Sequence, residues 1–429
     1  MNEVKEIKMY SDFKSPYAWI AFDPAYELGK KFGVQIKWKP FQLRIKGKGQ
    51  RSVYSEFKVK YSYMDVRRNA NLKDKNYMRL ALDIARVRKG LTGENPSVGC
   101  IITKNNNIIS SGATSINGRP HAETNALQNL NKNAENSTIY ITMEPCTHYG
   151  KTPPCTDIII KSKIKRVVYA IEDSDKRTAH KALSKLKRHG INVTKSVCKK
   201  EVKNFYKKYF FNKKYKMPYV IGKIACSNDN YIKSKKNKYI TNEHLLNVSH
   251  LLRYRSQGIL ISYKTLVSDK PKLDCRLKGL EKYSPKRFIL DKNLRSKYKL
   301  NILNNETKKN TYILHGSNNV KKIKLLKRKK INLIKIKIGT NNKLNLNDML
   351  NAIYKKKVST LLVEGGKDLT NAFIANKLFN EFYLFKSSKN LANSGSINIM
   401  STLKRLSKSF KKHNLLDTYT NKDKIIKFF

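Results

Sequence analysis

The sequence has few acidic residues, few cysteines and no long apolar run. Asp and Glu number 31 against 90 Lys and Arg, so the formal net charge is +59. The six cysteines of this 429-residue chain follow no regular spacing, which excludes a small disulfide-stapled scaffold. No apolar stretch approaches the ~18 residues that span a bilayer, and no secretory signal is visible. We therefore expect a cytoplasmic protein with reduced thiols and no membrane partner.

The excess of positive charge raises nucleic-acid binding as a possible function. The lysines, however, are spread over almost every segment instead of forming one stripe. Asn, Ile and Tyr are also abundant, as expected for a gene of AT-rich composition. We therefore favour a composition bias and expect no specific nucleic-acid partner, although a functional basic surface stays the alternative. Either origin of the charge would favour a substrate that carries a phosphate.

One short region carries the residues of a catalytic metal site. His121-Ala122-Glu123 is followed by Glu144-Pro145-Cys146 and then by Cys155. One imidazole and two thiolates are three zinc ligands, which leave a fourth position open for water. A carboxylate that is not a ligand, here Glu123, can move protons beside that water. A core histidine with two inert thiols is the alternative, but the joint occurrence of these residues favours zinc.

Zinc-dependent deaminases share this logic, with H-x-E followed by P-C-x-x-C. In this chain eight residues instead of two separate the cysteines, and they end in Gly150-Lys151-Thr152-Pro153-Pro154 before Cys155. This long loop resembles the deaminase domain of the bifunctional riboflavin-biosynthesis deaminase–reductases. The resemblance begins near Asp74, includes Asn95-Pro96-Ser97-Val98-Gly99, and extends to about the C-terminus.

The resemblance implies two reactions and two cofactors. Zn²⁺ would serve hydrolytic deamination of 2,5-diamino-6-(5-phosphoribosylamino)pyrimidin-4(3H)-one. NADPH would then reduce 5-amino-6-(5-phosphoribosylamino)uracil to the ribitylamino product. The expected partner is therefore a small phosphoribosyl pyrimidine, and the family also suggests a homo-oligomer.

Four positions match substrate contacts of the deaminase family: Asn95, His148, Lys151 and Asp173. Lys151 could pair with the phosphate as a point charge, and Asn95 could bind a base edge. The alternative is that Asn95 is only a turn residue before Pro96 and that His148 and Lys151 are only exposed loop residues; we favour substrate contacts. The run Asp173-Ser174-Asp175 departs from the family's D-P-N-P, and Asp175 adds a negative charge where a phosphate is expected.

The C-terminal half resembles the family's reductase, and the resemblance implies a set of substrate and cofactor contacts. These are Lys223, Ser227, Asp229, Thr241, Thr265, Asp269, Arg276, Glu364, Gly365 and Gly366. Asn230 stands where the family has glycine, and the cofactor loop reads Ile261-Ser262-Tyr263-Lys264-Thr265 without its usual glycines. Because side chains restrict the backbone there, a deaminase with a decayed reductase stays an alternative. A nucleic-acid base deaminase, motivated by the charge, is another.

We predict three segments along the chain. Residues 1–71 resemble an incomplete thioredoxin-like domain of the kappa-glutathione-transferase and hydroxychromene-carboxylate isomerase group, with Ser15 at the glutathione position. Because later strands of that fold are missing, we expect this fragment to be non-functional, with a glutathione-dependent isomerase as the alternative. Residues 72–216 are the predicted deaminase domain and residues 217–429 the predicted reductase domain.

Periodicity predicts an α/β protein. In the deaminase segment, helices are expected at 77–85, 121–130, 155 onwards and 179–189. Strands are expected at 98–103, 108–111, 138–143 and 166–171. This alternation favours a cytidine-deaminase-like three-layer α/β/α domain. Strands at 219–225, 259–261, 288–290, 311–314, 333–338 and 360–363 indicate a second α/β unit, for which the family resemblance implies a dihydrofolate-reductase-like fold. The Lys/Ile-rich run Lys321–Lys337 is interpreted as a solvated face.

Overall fold

The computed structural model describes most of the chain beyond residue 73 and two short strands before it. The described residues are 6–12, 35–41, 74–130, 133–150, 152–174, 180–297, 300–304, 306–340, 342–410, 413–416 and 422–429. The chain divides into two compact units, residues 1–205 and 206–429. No helix within the described ranges is long and apolar enough to cross a membrane.

Strands β1 (Glu6–Asp12) and β2 (Gln35–Phe41) pair in parallel. Ser15 and the remainder of the thioredoxin-like resemblance lie outside the described residues.

The first unit otherwise contains five helices and five strands within the described ranges. The helices are α1 (Asp74–Val87), α2 (Ala122–Gln128), α3 (Cys155–Lys161), α4 (Lys181–Arg188) and α5 (Lys199–Phe205). The strands are β3 (Gly99–Lys104), β4 (Asn107–Ala113), β5 (Thr138–Ile141), β6 (Arg166–Tyr169) and β7 (Asn192–Lys195). They form one sheet in the order β4-β3-β5-β6-β7, in which β5, β6 and β7 are parallel.

Helices cover both faces of this sheet, as the predicted three-layer architecture requires. On one face, α1 packs so closely that a Cβ at Gly99 would overlap the Ala81 carbonyl group. On the other face, Gly112 leaves the same kind of room for the backbone of α2. The second face contains the main apolar core, which joins Cys100, Ile102, Ile139 and Ile141 to side chains of α2, α3 and α4. The carboxyl ends of β5 and β6 therefore meet the first turns of α2 and α3.

The second unit is built on a large, mainly parallel sheet. Its strands are β8 (Tyr219–Cys226), β9 (Tyr231–Ser234), β10 (Gly258–Ser262), β11 (Lys286–Leu290), β12 (Thr311–His315), β13 (Asn332–Lys335), β14 (Thr360–Val363), β15 (Glu381–Lys386), β16 (Gly395–Asn398), β17 (His413–Leu416) and β18 (Lys424–Phe428). Its helices are α6 (Lys207–Tyr215), α7 (Glu243–Tyr254), α8 (Tyr263–Asp269), α9 (Asn301–Asn304), α10 (Val320–Arg328), α11 (Leu346–Lys355), α12 (Lys367–Ala375) and α13 (Met400–Ser409).

Nine strands pair in the order β13-β12-β11-β10-β14-β8-β15-β18-β17, while β9 and β16 form a separate pair. The run from β13 to β15 is parallel, and β18 and β17 add antiparallel strands at one edge. Because parallel strands end at the same edge, the loops after β8, β10 and β14 lie together there.

The interpretation of Lys321–Lys337 as a solvated face is wrong in part. The run forms helix α10 and strand β13, and its apolar side chains Leu326, Ile331 and Ile336 are buried. The lysines occupy the exposed positions of both elements. They therefore make the apolar periodicity of the helix, and then of the strand, difficult to recognise in the sequence.

Candidate active sites

The three predicted zinc ligands are delivered by the carboxyl edge of the first sheet. His121 is the N-cap of α2, and Cys155 is the first residue of α3, with Pro154 as its N-cap. Cys146 lies in the loop after β5. Proline is well accommodated at a helix start, so the sequence Pro153-Pro154 fixes the point where Cys155 enters its helix.

The ligand atoms of these residues lie close enough to bind one ion. The imidazole nitrogen and both sulfur atoms lie within 4.8 Å of one another. His121 Nδ1 is 3.3 Å from Cys155 Sγ and 3.7 Å from Cys146 Sγ. One nitrogen and two sulfur donors at this spacing fit zinc, which accepts three protein ligands in catalytic sites.

The surroundings of Cys146 favour the thiolate form of its side chain. The Cys155 thiol donates to Cys146 and, together with His121, lowers the pKa of Cys146 to about 4. The backbone N–H of Cys155 also donates to Cys146 Sγ at 3.2 Å. The pKa of Cys155 is raised, first by its hydrogen bond to Cys146 and then by burial. A bound cation would release the remaining thiol proton, since cysteine binds metal as the thiolate.

Glu123 lies in the first turn of α2, with only 4% of its surface exposed. Burial raises the pKa of Glu123, and the neighbouring His121 opposes that rise. A carboxyl group with a raised pKa beside a cation site can both accept and release a proton near neutral pH.

Glu144 is a functional residue that the sequence interpretation missed. Its buried carboxylate accepts hydrogen bonds from the backbone N–H groups of Asp173, His180 and Ala182, at 3.1–3.2 Å. Burial raises its pKa and these three donors oppose the rise. Glu144 thus fixes the loop after β6 against the cysteine loop. Its position directly before Pro145-Cys146 was the feature of the sequence that could have indicated this role.

Three of the four predicted substrate residues of the deaminase lie within the described residues. Asn95 Nδ2 donates to the Gly118 carbonyl at 2.9 Å, which holds the segment leading into His121. His148 is half-buried in the cysteine loop, and the backbone N–H of Asp173 is held by Glu144. Lys151 and Asp175 lie outside the described residues.

Arg119 was also missed, because a single arginine in a lysine-rich chain carries no signal. Its guanidinium Nη1 donates to Thr152 Oγ1. Its Nη2 lies 3.1 Å from the position that a Cβ of Gly150 would occupy. The side chain therefore crosses from the segment before His121 to the outer turn of the cysteine loop.

In the second unit, Ser227 and Asp229 form the turn after β8. The Ser227 hydroxyl donates to Asp229 Oδ1 at 2.5 Å and accepts from the Tyr231 N–H at 2.9 Å. Asp229 also accepts from the N–H groups of Leu391 and Ala392. Asn230 has φ 68°, a left-handed conformation that asparagine tolerates better than most residues, which explains why it can replace glycine.

Glu364, directly after β14, forms a buried ion pair with Arg253 of α7. Two hydrogen bonds of 2.8 Å join the guanidinium to both carboxylate oxygens. Burial alone would raise the pKa of Glu364, but the charges of Arg253 and Lys223 lower it to about 2. Lys223, on β8, lies with its Nζ 5.2 Å from the centre of the Phe385 ring. Arg253 was not singled out from the sequence, since only the fold brings it to Glu364.

The altered cofactor loop adopts an unstrained helix start. Ser262 has φ −86° and caps α8 by accepting from the Thr265 N–H. The backbone at Ser262 therefore has ordinary angles, and this position does not need the conformational freedom of glycine. Gly366 caps α12, and a Cβ placed there would meet only Thr265 Oγ1, at 3.9 Å. This open space between two helix starts fits a cofactor phosphate.

The remaining predicted reductase residues lie in loops and at helix ends of the second unit. Asp269 ends α8 and accepts from the Ser268 hydroxyl at 2.6 Å, and Thr241 is buried just before α7. Arg276 lies 3.4 Å from Asp274, and its N–H donates to His250 Nδ1 at 3.3 Å. Gly365 packs against Leu369.

Two family models match the chain. Residues 72–171 match the cytidine and deoxycytidylate deaminase zinc-binding region, and residues 218–400 match the RibD C-terminal domain. The first match contains the whole His121, Cys146 and Cys155 cluster. The second contains Glu364, Gly366 and their partners.

Curated relatives and solved structures agree with both matches. Riboflavin biosynthesis protein RibD of Aquifex aeolicus is 35% identical over 74% of this chain and 87% of its own length. The RibD protein of Buchnera aphidicola is 31% identical over 75% and 89% of the two chains. The structure of Acinetobacter baumannii RibD superposes with a TM-score of 0.70, at 26% identity, over 83% of this chain and 98% of that one. A diaminohydroxyphosphoribosylaminopyrimidine deaminase/5-amino-6-(5-phosphoribosylamino)uracil reductase from Thermotoga maritima superposes with a TM-score of 0.67, at 26% identity, over 82% and 97% of the two chains. The chain belongs to the RibD family of bifunctional deaminase–reductases of riboflavin biosynthesis.

Proposed function

We propose that the first unit deaminates 2,5-diamino-6-(5-phosphoribosylamino)pyrimidin-4(3H)-one, and that the second reduces the resulting 5-amino-6-(5-phosphoribosylamino)uracil. The observation that carries this proposal is the convergence of His121, Cys146 and Cys155 within 4.8 Å of one another, with buried Glu123 two residues after His121 in the first turn of α2. Zinc and NADPH are the cofactors of the two units.

When bound, zinc lowers the pKa of a coordinated water and so supplies a nucleophile at neutral pH. His121, Cys146 and Cys155 would hold the ion. Glu123 takes the proton of the attacking water and returns it to the ring nitrogen and the leaving ammonia. Its burial raises its pKa, which suits both steps.

The other deaminase residues bind substrate. Asn95 contacts the base edge, and its hydrogen bond to the Gly118 carbonyl supports this assignment. Lys151 pairs with the phosphate, and His148 and Asp173 are further substrate contacts.

In the reductase, NADPH supplies the hydride that opens the ribosyl group to a ribityl chain. Thr265, Gly365 and Gly366 form the phosphate cradle, whose open space at Gly366 supports this assignment. Lys223, Asp269 and Arg276 hold the substrate. Ser227, Asp229 and Thr241 contact the cofactor or substrate, and Glu364 orients the site through its ion pair with Arg253.

The domain assignment is part of the proposal. Residues 72–216 form the deaminase domain and residues 217–429 the reductase domain, with α6 (Lys207–Tyr215) as the connection that packs with the second unit, while residues 1–71 serve neither reaction. The protein works in the cytoplasm, self-associates, and takes a small phosphoribosyl pyrimidine without a specific nucleic-acid partner.

A coupled assay on the purified zinc protein tests the proposal. The diaminopyrimidine substrate is supplied, and ammonia release and NADPH oxidation are followed separately. We expect both signals. Ammonia release alone would show a decayed reductase, an outcome that the unstrained cap at Ser262 disfavours. The absence of both signals would refute the proposed substrate. Deamination of RNA bases together with strong, salt-sensitive RNA binding would instead identify a nucleic-acid deaminase.

A further inference from the structure

The residues of the deaminase centre differ strongly in exposure, from the metal cluster to the outer turn of the cysteine loop. Glu123 and Cys155 are 4% and 1% exposed, whereas Tyr149, in the outer turn of the cysteine loop, is 77% exposed. On the proposed function, the reacting carbon must reach Glu123. The ribosyl phosphate, the most strongly hydrated part of the substrate, must then lie at the exposed side of the cysteine loop, beside residues 148–150 and Thr152.

Arg119 is held at that side of the cysteine loop by two features of the loop. Thr152 Oγ1 accepts from Nη1, and the glycine at position 150 leaves space for Nη2, since a Cβ there would lie only 3.1 Å away. Within the described part of the chain, Arg119 forms no ion pair with a carboxylate. Among the described residues, no carboxylate therefore neutralises its positive charge.

We propose that Arg119 is a specificity-determining residue of the deaminase that binds the phosphate of the substrate. A guanidinium has five N–H donors in a planar fork, so one can anchor to Thr152 while others face a phosphate oxygen. Arginine recognises phosphate with directed, charge-assisted hydrogen bonds, which a mobile surface lysine does not provide. The inference deepens the proposed function and depends on it.

The test compares the phosphorylated substrate with the same compound lacking the phosphate. Arg119→Ala is expected to raise KM for the phosphorylated substrate roughly 10- to 100-fold, the usual range for losing a charged hydrogen bond. For the dephosphorylated compound the same variant should change KM less than about 3-fold. Arg119→Lys should recover part of the lost affinity, because it restores the charge but not the fork.

Three controls separate phosphate binding from a purely structural role. Zinc content must be unchanged in each variant, which shows that the centre is intact. Thr152→Val removes the anchor but keeps the guanidinium, so it should have a smaller effect than Arg119→Ala. Arg188→Ala removes an exposed arginine in the last turn of α4 and should leave both KM values unchanged.

Equal losses with both substrates would overturn the inference, because Arg119 would then only shape the loop. Unchanged KM values in Arg119→Ala, with an active parent enzyme, would overturn it as well and leave the proposed function standing. If the parent enzyme does not deaminate the phosphorylated substrate, the proposed function fails and the inference fails with it.

Discussion

At the scale of the residue, the position of Glu123 supports its proposed role in proton transfer. The side chain is buried beside three metal-binding atoms, where an ionised carboxylate without a function would be costly. We predict that Glu123→Gln keeps zinc but lowers the rate of ammonia release by ~10²- to 10⁴-fold, the usual contribution of a general acid–base group. Metal analysis and an ammonia assay on the same preparation measure both effects.

The matched control is Glu135→Gln, which changes a glutamate of the same unit whose side chain is 39% exposed. Its turnover should equal that of the parent enzyme. Retained turnover in Glu123→Gln would remove the proton-transfer role from this residue. Loss of zinc in that variant would instead make Glu123 a supporting residue of the metal site.

The ion pair between Arg253 and Glu364 makes the stability of the second unit depend on pH. The folded-state pKa of Glu364 is about 2, below its ordinary value of 4.5. Its stabilising effect is therefore complete above pH 4.5 and is lost as the pH falls toward 2. Both side chains are only 13% exposed, so the shift corresponds to a contribution of about 3 kcal/mol to the free energy of unfolding.

We predict that Arg253→Gln lowers the free energy of unfolding at pH 7 by about 3 kcal/mol, because Glu364 loses its partner. The difference between the two proteins should shrink steadily below pH 4.5. Urea unfolding at several pH values measures it. Lys264→Gln is the control, since its ion pair with Asp368 is exposed and exposed pairs contribute less than about 1 kcal/mol. A difference that does not vary with pH would contradict the electrostatic explanation.

How far the sequence predicts these residues depends on how local their role is. His121, Glu123, Cys146 and Cys155 could be found because their spacing along the chain already carries the chemistry. Arg253 and Arg119 could not be found in this way. Each acts through a contact with a distant segment, and a chain with 90 basic residues gives no reason to select either one.

At the scale of the element, the two helix starts at the edge of the large sheet form the proposed phosphate cradle. Gly366 caps α12 with φ −74°, an angle that any residue can adopt. We therefore predict that Gly366→Ala folds normally but weakens NADPH binding about 10-fold, because the added Cβ occupies the space needed by a phosphate. Fluorescence titration with NADPH measures the affinity, and thermal unfolding measures the fold.

Gly99→Ala is the comparison variant, because it should lower stability and leave NADPH binding unchanged. At that position a Cβ would overlap the backbone of α1, so we expect a loss of stability of about 1–3 kcal/mol without any direct effect on the cofactor site. If Gly366→Ala binds NADPH as tightly as the parent enzyme, the cofactor does not approach this glycine.

The elements themselves were predictable where their apolar period was undisturbed. Helix α1 and strands β3 to β6 follow the predicted ranges closely, and Cys155 begins α3 as the two prolines indicated. Strands β15 and β18 were missed, although they complete the large sheet beside β8. Their sequences, EFYLFK and KIIKF, are short and lysine-flanked, so only their pairing with β8 and with each other identifies them as strands.

At the scale of the whole molecule, the chemistry of the two units can be separated by their cofactors. The zinc cluster lies wholly in residues 1–205, and the Glu364–Gly366 loop with Arg253 lies wholly in residues 206–429. A treatment that affects only one cofactor should therefore affect only one reaction. The high net charge does not alter this expectation, since it is distributed over both units.

We predict that removing zinc with a chelator abolishes ammonia release, while NADPH-dependent reduction of supplied 5-amino-6-(5-phosphoribosylamino)uracil keeps its rate. Adding zinc back should restore ammonia release. Arg276→Ala should give the reverse pattern, with reduction lowered by ~10-fold or more and deamination unchanged, because it removes only a proposed substrate contact of the reductase. Parallel assays with the two substrates measure each rate directly. If chelation also stops reduction, the zinc centre supports the fold of the second unit as well, and the two activities are not independent.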